Sequence, residues 1–568
     1  METGGGGAVF LDEQTKQHLL WEDLLQRFRP RTPMGRASWA RFVPFLPGQE
    51  REWAAVLEEQ ERLREAVEAD SDWGRKVDAC LSRMPDVQPL FPLLRGGESP
   101  GISGWFRLKG FLWQVKALWD RLREKGLHPL LSGVEPERSL ALLRRLNPDP
   151  PLTPSFSLVP AFDRRIGLLR RELERVDRML REEREGIRRR IQEEYGVGPN
   201  RLGEWVVDRR SDVARRMAAD RHLRLVRETA FDWVFVSGLS PEGEEREAAR
   251  AELERRLEAV EREVLEELAR AFAPHVSPLE RAAEAVARFD LQWSRMEAAR
   301  TWRGCRPRWS GGSIRVEGGV HPVVAERLER EAGRFTPVDI RVDKGVTVIV
   351  GPNMGGKTMA LRTLGAIVAL AQHGFFVPAA RCDMPLVAFV SGVMGDGQDA
   401  RAGLSTFGAE VKRVADWFRE KEGGLLLIDE IGRGTNPVEG AALSAAVTAS
   451  LARSDHWAVH VTHYAEVLEV AGVRRYRTAG LGDAEKGGVD WRGDDGAFRM
   501  DYRLIPLPEG AGIPHQALLI AEAMGMPREI VEEARRRIPG HAGSAAGPEV
   551  PGPGRKECRK IDDARPML

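Results

Sequence analysis

Cysteine is scarce, and Cys80, Cys305, Cys382 and Cys558 are scattered with no paired spacing. Neither a disulfide framework nor a cysteine-based zinc site is indicated. Also absent is any apolar run of the roughly 18 residues that a membrane-spanning helix requires. The opening METGGGGAVFLDEQ lacks the basic start and apolar stretch of a secretory signal, so no membrane partner and a cytoplasmic setting are expected. Charge of one sign is missing too: 86 basic residues balance 86 acidic ones. A polyanionic partner would therefore have to meet a local basic face.

What is present is length and helical patterning. At 568 residues the chain exceeds one ordinary core, and a scale of roughly 100–200 residues per domain predicts several units. REWAAVLEEQERLREAVEAD (51–70) and LKGFLWQVKALWDRL (108–122) interleave apolar and charged residues at helical spacing. Prolines then cluster from Pro148 to Pro160, which argues for a break between units. Beyond them, Ile166, Leu169, Leu173, Val176, Leu180, Ile187 and Ile191 step mainly by three and four, a coiled-coil stripe. A second stripe runs through Leu253, Leu257, Val260, Val264 and Leu268, and the strand-like GEWVVDR and FDWVFV lie between the two. This reads as an antiparallel arm with a small tip. Its charges are either the solvated faces of paired helices or, through Arg209, Arg210 and Arg215, a grip on a phosphate backbone.

After Gly318 the pattern changes. VTVIV (346–350), LLLID (425–429) and HWAVHVTH (456–463) alternate with helical segments, as in a largely parallel sheet covered by helices. GPNMGGKT (351–358) follows the first of these strands and precedes MALRTLGAIVALAQ, the strand–loop–helix context of a phosphate-binding loop. The glycines leave backbone N–H groups free to cradle phosphate oxygens, and the helix presents its positive end. Lys357 then reaches the β- and γ-phosphates of ATP, and the Thr358 hydroxyl ligates Mg²⁺. LLLIDEIGRGT (425–435) adds Asp429 near the metal and Glu430 to orient or deprotonate the attacking water. His463, closing its own strand, is either a γ-phosphate contact or a satisfied strand-end histidine. LSTFGAEVKRV (404–414) reads as a helix capped by Ser405 or Thr406.

The strings GPNMGGKT, STF (405–407), DEIGRGT and THYAEV, in this order, resemble the MutS family of DNA mismatch repair ATPases. EGGVHPVV (317–324) and FTPVDIRVDKG (335–345) match the approach to that family's ATPase. Tyr502 to Ala534 resembles its C-terminal helical dimerisation element, and RPRTPMGRASWARFVPFLPG resembles the start of its core and lever. The implied fold is multidomain: an all-α lever and core with a coiled-coil arm, then an α/β P-loop NTPase domain of ABC-like ATPase type with the C-terminal helical element. The expected divisions are a flexible N-terminus (1–15), the first core and lever part (16–160), the clamp-like arm (161–275), the returning lever helices (276–315), the ATPase domain (316–538) and a disordered tail (539–568).

The resemblance implies further roles. ATP and Mg²⁺ are the implied cofactors, with Gly351, Pro352, Asn353, Met354, Gly355, Gly356, Lys357 and Thr358 around the phosphates. Phe335 would stack on adenine with His321 close by, and His463 would sense the γ-phosphate alongside Glu430 and Lys357. Ser405 would act on the nucleotide of a second subunit, which implies a homodimer with composite ATP sites closing on DNA. Departures also appear: the segments resembling the family's mismatch reader and connector are missing, GKS becomes GKT, and Val320 replaces the arginine usual before HPV. Mismatch reading is accordingly not expected. A chain of this build also resembles the reactivase of a cobalamin-dependent lysine aminomutase, whose client is a protein.

Overall fold

The computed structural model describes residues 9–352 except 27, 40 and 41, then 356–394, 406–420, 423–433, 435–480, 501–511, 518, 521 and 525–537. It divides into two compact units. One is helical and holds residues 21–307 and 369–378; the other is α/β and holds the remainder. The expected tail over 539–568 lies outside the described residues. No helix among the described residues is long and apolar enough to cross a membrane.

The helical unit packs the helices Glu50–Ala69, Ser71–Ser82, Gly101–Glu124, Pro136–Arg145 and Val276–Thr301 around one apolar cluster. Trp105, Phe111, Phe289 and Trp293 lie fully buried in it, which is where large aromatics contribute most to stability. The proline-rich stretch does interrupt the helices. Even so, Phe156 and Leu158 are buried in the same cluster as the helices on either side of it.

Two long helices, Arg164–Tyr195 and Pro241–Phe272, form the arm. Asp163 and Ser240 cap their N-termini, and Gly196 ends the first in the left-handed conformation. Their ion pairs run Arg165–Glu263, Arg170–Glu261, Asp177–Arg250 and Glu183–Arg246. Numbers rise on one helix as they fall on the other, so the pair is antiparallel. The second helix begins at Pro241, well before its apolar stripe at Leu253, because the intervening charged residues need only a cap and a partner helix rather than a core. Between the helices sit β1 (Trp205–Asp208), β2 (Leu223–Glu228) and β3 (Asp232–Ser237) in the order β1-β3-β2. Trp205, Val207, Met217, Leu223 and Phe235 close a small core there with Ile191 and Tyr195. Arg209, Arg210 and Arg215 are all exposed, and Arg209 pairs with Glu228 at 2.8 Å.

The α/β unit starts earlier than the residue pattern indicates. Residues 9–15, expected to be flexible, pack onto this unit: Leu11 bridges Val390 in parallel, and Val390 N–H donates to the Phe10 carbonyl at 2.7 Å. Thr15 then accepts from Gly392 N–H at 3.0 Å, and Asp12 meets Arg413 at 3.1 Å. The strand edge at Val390 would otherwise be open to pairing, and this segment covers it. The returning helix ends at Thr301, and residues 308–315 fall in the α/β unit, with strands at 308–309 and from 313 on, instead of in a lever. These are β4 (Arg308–Trp309) and β5 (Ser313–Gly319), which with β6 (Val338–Asp343) and β8 (Arg381–Met384) make a four-stranded sheet.

The main sheet contains β7 (Gly345–Val350), β9 (Val390–Val393), β10 (Leu425–Asp429), β11 (Trp457–Thr462), β12 (Arg474–Gly480) and β13 (Asp501–Pro506). Its order is β13-β12-β7-β11-β10-β9, parallel except for the β12–β13 pair. β7 and β11 are buried at every position, as strands covered on both faces must be. The string resembling a helical dimerisation element opens instead with β13, and its described helix is Arg528–Arg537. Alternating residues such as Tyr502, Arg503 and Leu504 suit an edge strand better than a helix face.

Candidate functional site

Strand order places the chemistry. β7, β11 and β10 are neighbours and parallel, with Thr462 opposite Val350 and Val461 opposite Asp429. Gly351, His463 and Glu430, the residues just beyond each strand, therefore emerge at one edge of the sheet. This is the carboxyl end, where open α/β sheets bind ligands.

The loop after β7 leaves the strand through Gly351, whose φ of 147° lies in a region essentially restricted to glycine. A Cβ there would stand 2.1 Å from Thr478 Oγ1, so the turn also needs the missing side chain. The loop feeds the helix Lys357–Gln372. Lys357 is 3% exposed, and its ammonium donates to the carbonyls of Gly351 at 2.7 Å and Pro352 at 3.0 Å. Burial lowers its pKa, while the Glu430 and Asp429 carboxylates oppose that shift.

Thr358, one residue on, donates its hydroxyl to Asp429 Oδ2 at 2.5 Å. Burial pushes the Asp429 carboxyl up; the Thr358 bond works against this, and the neighbouring Glu430 adds to it. A hydroxyl and a carboxylate side by side are hard oxygen donors of the kind Mg²⁺ takes alongside nucleotide phosphates. Among the described residues there is no cluster of three or more His, Cys, Asp or Glu that could hold a metal ion.

Glu430 follows in a left-handed conformation, φ 56°, unusual for a residue with a side chain and worth on the order of 1–2 kcal/mol of strain. Its N–H donates to the Val461 carbonyl at 2.9 Å, so the strained residue remains tied to the sheet. The carboxylate lies near two cations and an imidazole: Lys357 Nζ at 3.9 Å, Arg433 Nη1 at 3.5 Å and His463 Nδ1 at 3.6 Å. His463 is partly exposed and packs against Tyr464 with ring centroids 4.3 Å apart. Lys357, Thr358, Asp429, Glu430 and His463 are thus drawn together from segments far apart in the chain.

Phe335 is half-buried in the segment before β6. His321 is fully buried ahead of the helix Pro322–Arg330, with Nε2 3.1 Å from the Leu19 carbonyl. Asn353, Met354, Gly355 and Ser405 lie outside the described residues, and Gly356 adopts φ 77° at the helix entry. Three contacts were not foreseen from sequence: Arg433 on Glu430, Glu410 on the Gly432 N–H, and Tyr464 on the Gly432 carbonyl. All three sit inside the quoted strings DEIGRGT, STFGAEV and THYAEV, which is the one signal that could have singled them out.

Part of the chain is similar in sequence to known proteins. Residues 347–539 match the family model for MutS domain V. Over 308 residues the chain is 31% identical to the DNA mismatch repair protein MutS of Thermus thermophilus, covering 54% of this chain and 36% of that relative. It is 33% identical over 311 residues to the DNA mismatch repair protein MutS of Symbiobacterium thermophilum, covering 52% of this chain and 33% of the relative. It is also 33% identical over 282 residues to endonuclease MutS2 of Geobacillus thermodenitrificans, covering 48% of this chain and 33% of the relative. The matches span about a third of the length of each of these relatives. With domain V matched across the phosphate-loop helix and β7, β10 and β11, residues 347–539 belong to the MutS family by their domain V.

Proposed function

We propose that this protein is a Mg²⁺-dependent ATPase that works as a homodimer and uses nucleotide binding and hydrolysis to switch its hold on DNA. The observation that carries the reading is the convergence of Lys357, the Thr358–Asp429 pair and Glu430 at the carboxyl ends of adjacent strands.

In this reading the backbone of residues 351–356 and the Lys357 ammonium hold the β- and γ-phosphates, exchanging the Gly351 and Pro352 carbonyls for phosphate oxygens. Thr358 and Asp429 would hold Mg²⁺, which would neutralise phosphate charge. Glu430 takes a proton from, or orients, the water that attacks the γ-phosphate, and its strained backbone fixes the carboxylate for that task. His463, beside Glu430, contacts the γ-phosphate. Phe335 and His321 flank the adenine, Asn353 contacts phosphate, and Ser405 of a second copy completes the site. The relatives named for DNA mismatch repair support DNA as cargo, and the exposed arginines between the arm helices offer a surface for its backbone. Discrimination of mismatches is not part of the proposal.

The test is turnover and DNA retention in one preparation. Lys357→Ala should lose nucleotide binding, and Glu430→Gln should bind ATP without hydrolysing it. DNA retention should weaken as salt rises. Wild-type turnover in both variants refutes the ATPase reading. Absence of DNA binding at low salt, with and without ATP, refutes the cargo and redirects the search to a protein client such as an aminomutase.

A further inference from the structure

The turn that carries Glu430 is gripped two residues further on, at Gly432. On its N–H side lies the Glu410 carboxylate, on the helix Thr406–Trp417, and this N–H offsets part of the upward push that burial gives the carboxyl. Its carbonyl accepts from Tyr464 Oη at 3.5 Å and from Thr435 N–H at 3.4 Å. Tyr464 follows β11 directly after His463 and packs its ring, tilted by 39°, against that imidazole. On a third side stands Gly440, where a Cβ would lie 2.6 Å from the Gly432 carbonyl oxygen and 2.7 Å from Tyr464 Oη.

Two left-handed residues occur in this one turn, Glu430 at 56° and Gly432 at 83°, and only the second is a glycine. A non-glycine residue holds such a conformation only where its surroundings over-determine it. Glu410 supplies part of that determination at a cost to itself. Its Oε2 is buried with no hydrogen-bond partner among the described residues, and burial pushes its carboxyl up. A half-satisfied buried carboxyl spent on one backbone N–H is poor value for stability alone.

We propose that Glu410 and Tyr464 are positioning residues: by holding the two polar groups of Gly432 they keep the 430–433 turn in the conformation that places the Glu430 carboxylate between Lys357 and His463. The inference rests on the ATPase reading above.

The experiment measures single-turnover hydrolysis, Kd for a fluorescent ATP analogue and melting temperature on the full chain. Glu410→Ala should slow hydrolysis by about tenfold or more with Kd changed less than about twofold. Glu410→Gln, which keeps an acceptor oxygen, should restore most of the rate. Tyr464→Phe removes one hydroxyl and should lower the rate by roughly threefold, again without weakening binding. In a Glu430→Gln background, Glu410→Ala should add no further loss of residual turnover, because it acts through Glu430. If Glu410→Ala misfolds, the rates of Glu410→Gln and Tyr464→Phe decide the matter. The inference is overturned, with the ATPase reading intact, if Glu430→Gln abolishes hydrolysis while the Tyr464 and Glu410 variants turn over at the wild-type rate, or if the losses add in the double variant. Wild-type hydrolysis by Glu430→Gln overturns both.

Discussion

Thr358 donates its hydroxyl to Asp429 at 2.5 Å, joining the first turn of the phosphate-loop helix to the last residue of β10. The two side chains that would share a metal thus lie side by side. Thr358→Ala should therefore weaken Mg²⁺-dependent nucleotide binding by roughly 10–100-fold, whereas Thr358→Ser should stay close to the parent. Titration of MgATP against both variants checks this, and equal losses in the two would show that the hydroxyl is not what matters.

Lys357 leads to a prediction about pH. Burial lowers its pKa, against the pull of Glu430 and Asp429, and only the charged amine attracts phosphate. Affinity of the free protein for ATP should be full near neutrality and fall as pH rises through that lowered value, earlier than the ordinary lysine range near about 10.4 allows. Lys357→Arg keeps its charge throughout and should abolish the alkaline fall even if it binds more weakly. Kd measured between about pH 7 and 10 distinguishes the two profiles.

The arm holds an acid-sensitive junction at Glu183. This carboxylate accepts from Ser240 N–H at 3.0 Å and Ser240 Oγ at 2.7 Å, and pairs with Arg246 at 2.7 Å. Burial works against its charge, but the Ser240 bonds and Arg246 outweigh that and hold its pKa below the usual carboxylate range. A depressed carboxyl contributes stability above its unfolded pKa of about 4.3 and loses it as pH falls through the folded value. Proteolysis between the arm helices should thus accelerate below about pH 4, and Glu183→Gln should show the faster cutting already at neutral pH.

Asp290 anchors the helical unit. It is fully buried and accepts from Arg31 N–H at 3.0 Å, Thr32 N–H at 2.7 Å and Thr32 Oγ1 at 2.7 Å. Asp290→Ala strands those donors and should lower stability by roughly 2–3 kcal/mol, read from the denaturant midpoint. ATP binding in conditions where the variant remains folded should be little changed.

Much of the candidate site was legible because its chemistry is local. A phosphate loop needs consecutive residues between a strand and a helix, and GPNMGGKT after VTVIV displays them in eight positions. DEIGRGT at the end of LLLI is readable for the same reason, as is the arm from its stripes at Leu180 and Val260. Less legible were the boundaries. Residues 9–15 read as a flexible start since only Val9, Phe10 and Leu11 are apolar there, yet the open edge of β9 takes them in.

The choice of candidate site residues, the strand–loop–helix frame around Lys357 and the helical character of the first half were read from sequence alone, because each depends on neighbours within a turn or a strand. Only the tertiary structure decided that Glu430 faces Lys357, Arg433 and His463, that Thr358 meets Asp429, and that Glu410 and Tyr464 close on Gly432. Those relations follow from the order β7-β11-β10 and from one strained turn. Sheet order is set by burying whole strands against one another, a sum over distant contacts that no short stretch of sequence displays.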